Sequence, residues 1–227
     1  LADAGDVDHD GFDDLLLTQL MSKGSQESTS VVIHARSARF PAATAIEDFI
    51  DGRNGFAVTI PGFPTLSIAA GLGDINGDGF DDVGIARPYD LSNPFDFGSR
   101  GSVYVVFGAA VPRPPRIAAA DFDGRNGTRI DGSHPSGSAG RSLAGVGDFN
   151  GDDIDDFAIG ADLSEITNVS AGLAWVLYGR RAPWPAPADG GPARRSDRAS
   201  RATLDVRTAP RRCLSSGAVR ALGGATS

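Results

Sequence analysis

Three ten-residue segments carry the side chains best suited to chemistry: GDVDHDGFDD at 5–14, GDINGDGFDD at 73–82 and GDFNGDDIDD at 147–156. The second packs four aspartates and an asparagine among three glycines, between apolar runs. Carboxylates about 5 Å apart repel by roughly 3 kcal/mol per pair at an effective dielectric near 20. Such crowding calls for a cation. Written as D-x-[DN]-x-D-G-x-x-D, each loop places oxygen side chains at positions one, three, five and nine, with a backbone carbonyl available at position seven. The side-chain candidates are Asp6, Asp8, Asp10 and Asp14; Asp74, Asn76, Asp78 and Asp82; and Asp148, Asn150, Asp152 and Asp156. Phe12, Phe80 and Ile154 would lend carbonyls. Five to seven oxygens around a hard cation is calcium chemistry, whereas magnesium takes fewer protein ligands in a stricter octahedron.

An EF-hand starts the same way but needs a bidentate Glu at position twelve. Leu17, Ile85 and Ile159 stand there, inside strand-like runs. The third loop has Asp153 where the others have the turn glycine, a replacement that Asp tolerates at some cost. Asp13, Asp81 and Asp155, one position before the last ligand, are expected to face solvent. His9 is expected to do the same, since Gly77 and Gly151 fill its place in the other loops. The alternative reading, Asp-rich turns held by side-chain to backbone hydrogen bonds, suits one such loop better than three in matching register.

The loops belong to an internal repeat. Their first aspartates, Asp6, Asp74 and Asp148, recur at intervals near seventy residues, and the flanks recur with them. LADAG, AAGLG and LAGVG precede the loops; DLLLTQ, DVGIAR and DFAIGA follow. SVVIHA, SVYVVFG and LAWVLYG come next, and DGRNG appears identically at 51–55 and 123–127. Each unit therefore shows four strand-length segments divided by Gly, Pro, Asn and Asp turns, without helical periodicity. That is the pattern of a four-stranded β-propeller blade with long connections.

The run GDINGDGFDDVGIARP…GSVYVVFG resembles the FG-GAP repeat, the blade of the integrin α-subunit propeller and of many bacterial surface proteins. Phe107-Gly108 and Tyr178-Gly179 supply the FG element. The GAP element is altered, to Ala86-Arg87-Pro88 and Gly160-Ala161-Asp162, and the first unit lacks both. On this reading the chain is all-β, a partial β-propeller of FG-GAP-like four-stranded blades. A partial repeat covers 1–35, two fuller repeats cover 36–108 and 109–179, and a Pro/Ala/Arg-rich tail, linker or disordered, covers 180–227. The resemblance implies a calcium-binding extracellular module for binding or adhesion, with a protein or carbohydrate ligand and no catalytic role. Two other readings are an accessory propeller of a secreted hydrolase and a structural surface spacer. Further repeats or partner chains would be needed to close the propeller.

Composition narrows the partners. The 227 residues carry a net charge of −8, but unevenly. Residues 1–179 hold 26 acids against 11 bases, and residues 180–227 hold 3 against 10. Nucleic acid is disfavoured, because polyanions need Lys and Arg stripes. No apolar run is long enough for a membrane helix. The single cysteine, Cys213, excludes an intrachain disulfide framework. One lysine beside twenty arginines points to a GC-rich, bacterial type of coding sequence. His134 reads as a loop histidine, Asn126 and Asn168 open glycosylation-type sequons, and Trp175 and Tyr178 read as packing residues. The G-x-G-x-x-x-G spacing in the second and third loops is wrong for a dinucleotide cradle.

Overall fold

The computed structural model describes residues 1–20, 27–37, 44–61, 67–89, 100–132, 137–161, 172–181, 183–185 and 201–204. They form thirteen strands in three sheets, with short 3-10 turns at Ile46–Phe49 and Ala119–Asp121 and no α-helix among them. The first sheet runs β1 (Ala2–Gly5), β2 (Asp14–Leu20), β3 (Glu27–Ile33) and β4 (Gly55–Pro61), each antiparallel to the last. The second runs β5 (Ile68–Gly73), β6 (Asp82–Arg87), β7 (Ser102–Val106) and β9 (Gly127–Asp131). The third runs β10 (Ser142–Gly147), β11 (Asp156–Ala161), β12 (Leu173–Leu177) and β13 (Arg201–Leu204). These are propeller-like blades, each a four-stranded meander whose first hairpin carries one acidic loop.

A fifth strand, β8 (Arg116–Ala118), adds to the first sheet in parallel with β4. The four-segment reading of the repeat did not include it. Pro114 and Pro115 stop earlier pairing in this segment, and the chain then lies along the outer edge of the previous blade, where it covers unpaired backbone. The contact repeats one blade later: Arg113 N donates to Gly52 O, and Trp184 N donates to Gly124 O, both at about 3 Å. Gly52 and Gly124 are the glycines of the two DGRNG segments. In each, the Asp carboxylate accepts N–H groups two and three residues ahead, so the identical pentapeptide is a turn that receives the strap. Asn126 is spent on this turn through Asp121 O and Asp123 N.

Apolar residues concentrate between the sheets. Val7, Leu16, Val32 and Phe56 of the first meet Val83, Ile85, Tyr104 and Val106 of the second. Leu72, Ile75, Val103, Val105 and Phe107 on the other face of the second meet Leu143, Phe157 and Ile159 of the third. Being covered on both faces, β6 and β7 are buried at every position. Their sequences accordingly read as continuous small and β-branched runs rather than alternating ones. Trp175 packs against the second cluster, as expected of it. Within the segment 180–227, Trp184 is buried and β13 pairs with β12. Residues 182, 186–200 and 205–227 of that segment, together with His134 and Asn168, lie outside the described residues.

Candidate metal centre

Each acidic loop springs from the same irregularity. Pairing shifts register between Asp3 and Gly5, between Gly71 and Gly73, and between Gly145 and Gly147. That places Gly5, Gly73 and Gly147 opposite Asp14, Asp82 and Asp156. Inside the loops two positions turn left-handed. Position four has φ of 60° at His9, 71° at Gly77 and 81° at Gly151; position six has 92° at Gly11, 92° at Gly79 and 64° at Asp153. Asp153 thus adopts the conformation of the glycine it replaces, and His9 is exposed.

The first aspartate of each loop is wrapped by backbone. Asp6 accepts from Asp10 N and Gly11 N, both at 2.9 Å. Asp74 accepts from Gly77 N, Asp78 N and Gly79 N at 2.7–3.0 Å, and Asp148 accepts from Gly151 N, Asp152 N and Asp153 N over the same range. Those donors hold the Asp148 carboxyl below its ordinary range, Asp153 N most of all. Position five caps position seven in every loop, through Phe12 N, Phe80 N and Ile154 N at 3.0–3.1 Å. Position nine is the deepest. Asp82 accepts from Ile75 N at 3.0 Å and from Gly108 N at 2.9 Å, and Asp156 accepts from Phe149 N and Gly179 N at 3.0 and 2.8 Å. Asp14 does the same with Val7 N and Ala35 N at 3.1 and 2.7 Å. The glycine of the FG element therefore delivers an N–H to the last aspartate of its own loop. Burial pushes the Asp82 carboxyl well above the ordinary carboxylate range, against the pull of Gly108 N, and raises Asp156 as well.

Position three tests whether a cation fits. Asp8 Oδ1 and Asn76 Oδ1 are buried and have no hydrogen-bond partner. A buried oxygen left unpaired costs about 1–3 kcal/mol, so two at matched positions mark where an ion would sit. In the first loop, carboxylate oxygens of Asp6, Asp8 and Asp10 lie within 4.8 Å of one another. Burial is the main cause that raises the Asp8 carboxyl, with His34 pulling it down and Asp14, Asp10 and Asp6 adding to the rise. Asp14 is grouped with Asp8 rather than with Asp6 and Asp10, and a histidine joins them: His34 Nδ1 lies 2.9 Å from Asp14 Oδ2 and 3.5 Å from Asp8 Oδ2. In the third loop Asn150 is exposed and its amide donates to Asp152 Oδ2 at 3.0 Å.

Two features were missed from sequence. His34 read only as part of a strand-like run; it occupies the place of Phe107 and Tyr178 in the repeat. The second correction concerns Asp81 and Asp155, which do not simply face solvent. Asp81 Oδ2 accepts Asp6 N at 2.8 Å and Asp155 Oδ2 accepts Asp74 N at 3.1 Å, each reaching the loop of the preceding blade. The backbone returns the contact: Asp81 N donates to Asp6 O, Asp155 N to Asp74 O, Ala109 N to Val7 O and Arg180 N to Ile75 O. Reading each loop as an isolated hairpin hid this, because the contact exists only once blades stack. The glycine before each loop is its signal: a Cβ on Gly73 would fall 2.0 Å from Asp155 Oδ2, and one on Gly5 2.2 Å from Asp81 Oδ2. Asp13 remains exposed, as expected of it.

Comparison with known proteins agrees with this geometry. The family model of the FG-GAP repeat matches residues 139–177, which hold the third loop and three strands of its blade. Mouse (Mus musculus) integrin alpha-M is 33% identical over 113 residues, 48% of this chain and 8% of that protein. Bovine (Bos taurus) integrin alpha-2 is 35% identical over 117 residues, 50% of this chain and 8% of its own length. Drosophila melanogaster integrin alpha-PS2 is 27% identical over 175 residues, 70% of this chain and 11% of its own. The chain thus spans only 8–11% of the length of these relatives. It carries an FG-GAP repeat and is distantly homologous to integrin α-subunits over about half its length.

Proposed function

We propose that the chain is a calcium-binding, integrin-α-like β-propeller module that serves extracellular binding or adhesion. The observation that carries this is the one loop built three times, with matched orphan oxygens at Asp8 and Asn76. Calcium would be held by Asp6, Asp8, Asp10, Asp14 and the Phe12 carbonyl; by Asp74, Asn76, Asp78, Asp82 and the Phe80 carbonyl; and by Asp148, Asn150, Asp152, Asp156 and the Ile154 carbonyl. Bound there, the ion supplies positive charge and stiffens the first hairpin of each blade, so binding energy becomes folding energy. The role is that of a ligand surface and not of a catalyst, since the carboxylate clusters of the described residues are spent on the loops. An extracellular setting follows the integrin relatives, and among the described residues no helix is long and apolar enough to cross a membrane.

The propeller is partial. Leu72 and Ile75 are 1% and 0% exposed beneath the third blade, while their counterparts Val146 and Phe149 on the third blade are 39% and 55% exposed. That face fits a further blade of the same repeat, since closed propellers take about four to eight. The functional reading is tested on panels of extracellular proteins and glycans, probed with the full chain in calcium, in chelator and as Asp78→Ala. Binding that needs calcium and falls severalfold in Asp78→Ala is expected. Binding indifferent to both, or none by the folded calcium form, would count against an adhesive role.

A further inference from the structure

The first blade differs from the others at one buried point. Where Phe107 and Tyr178 close the second and third blades, the first has His34, 3% exposed, with Nδ1 turned towards Asp14 and Asp8. The side chains of Asp8 and Asp14 are 5% and 0% exposed, so two carboxylates and an imidazole share one enclosed space. Their ligand atoms lie within 4.8 Å of one another. Asp8 Oδ1, on a side chain almost wholly out of solvent, has no partner.

We infer that Asp8, Asp14 and His34 form a mixed nitrogen-and-oxygen site for a borderline divalent transition ion of the zinc class, a site that the other two blades lack. The chemistry separates it from the oxygen loops. Imidazole suits zinc, copper, iron and nickel, whereas calcium takes oxygen alone. Zinc bonds of about 2.0–2.2 Å in a tetrahedron hold neighbouring ligand atoms roughly 3.3–3.5 Å apart, so the 3.5 Å His34–Asp8 pair already fits and the 2.9 Å His34–Asp14 hydrogen bond opens slightly to admit the ion. The ion would offset two buried like charges and engage the orphan oxygen of Asp8. His34 Nε2 meets no acceptor, so the site lacks the outer hydrogen bond that tightens most zinc histidines, and its affinity should be moderate. The site shares Asp8 and Asp14 with the calcium reading but does not depend on calcium filling any loop.

The test is a zinc titration of the calcium-free full chain by calorimetry, because calcium in the first loop would occupy Asp8 and Asp14, with cobalt absorption as a second readout. One zinc equivalent per chain is expected. His34→Phe, which restores the residue type of the sibling blades, should weaken it by at least the roughly tenfold that even an outer-shell loss costs. Thermal melting of that variant checks that it folds. His9→Ala and Asp78→Ala should leave zinc binding unchanged. Absence of zinc binding, equal binding by His34→Phe, or loss in His9→Ala instead would overturn the inference. A separate calcium titration of the zinc-free chain keeps the two readings apart: zinc binding with no calcium binding would sink the calcium reading alone, and calcium binding without His34-dependent zinc binding would sink this one alone.

Discussion

Replacing Gly108 with alanine is expected to destabilise the fold by about 3 kcal/mol, lowering the melting temperature by roughly 6–12 °C for a chain of this size. A Cβ there would lie 2.4 Å from Asp81 O, 2.6 Å from Phe80 Cβ and 2.8 Å from Val7 O. Two of these atoms are backbone at the junction of the first and second blades and cannot swing aside. Shifting the strand end would also pull Gly108 N from Asp82 Oδ1, a buried hydrogen bond whose loss costs about 1–3 kcal/mol. In the first blade Ala35 takes the matching place, where Phe12 is 43% exposed and no preceding loop presses on it among the described residues. Gly79→Ala is the control: φ is +92° but a Cβ would meet nothing within 4 Å, so only the left-handed backbone is penalised, by about 1–2 kcal/mol. Equal melting of the two variants would remove the packing explanation of the FG glycine.

The adjacent carboxylates should form a graded series. Asp82→Ala leaves the N–H of Gly108 without an acceptor and Ile75 N with only the Gly73 carbonyl, in a site where Asp82 is 0% exposed, at a cost of about 3 kcal/mol. Asp82→Asn keeps one oxygen and should cost about half as much. Asp81→Ala removes a half-buried acceptor for Asp6 N, worth about 1 kcal/mol, and Asp13→Ala should fall within roughly 0.5 kcal/mol of the parent. Urea denaturation in chelator isolates these effects from metal. The pH dependence has a definite sign. Burial raises the carboxyls of Asp82, Asp8, Asp81 and Asp156 above the ordinary carboxylate range. Their contribution is thus complete below the unfolded value and is lost as pH rises through the folded ones. The metal-free chain should accordingly weaken between mildly acidic and neutral pH, with a smaller loss in Asp82→Asn. A flat carboxylate series would mean that position nine does not anchor the loop.

Much of this fold could be read from the chain because its signals were local and repeated. Matched spacing of Asp6, Asp74 and Asp148 set the hairpin loops, and runs such as SVYVVFG and FAVTI gave the strands that flank them. What escaped reading depends on neighbours. Asp81 and Asp155 carry the same residue type as exposed Asp13, and only a stacked loop distinguishes them. His34 becomes informative only when β3 brings it level with Asp14, twenty residues away in sequence. The DGRNG glycines mattered for a strap that arrives some sixty residues later in the chain, at Arg113 and Trp184. β8 was invisible because three residues after a proline pair bear no strand pattern of their own.

Thermal melting of the full chain in millimolar calcium, against chelator and against magnesium alone, tests the central claim most directly. Calcium at about tenfold over its dissociation constant adds roughly 1.4 kcal/mol per site, so three filled loops should raise the midpoint by about 10 °C. Magnesium should give little of that rise. Coincident melting curves in calcium and in chelator would contradict the account.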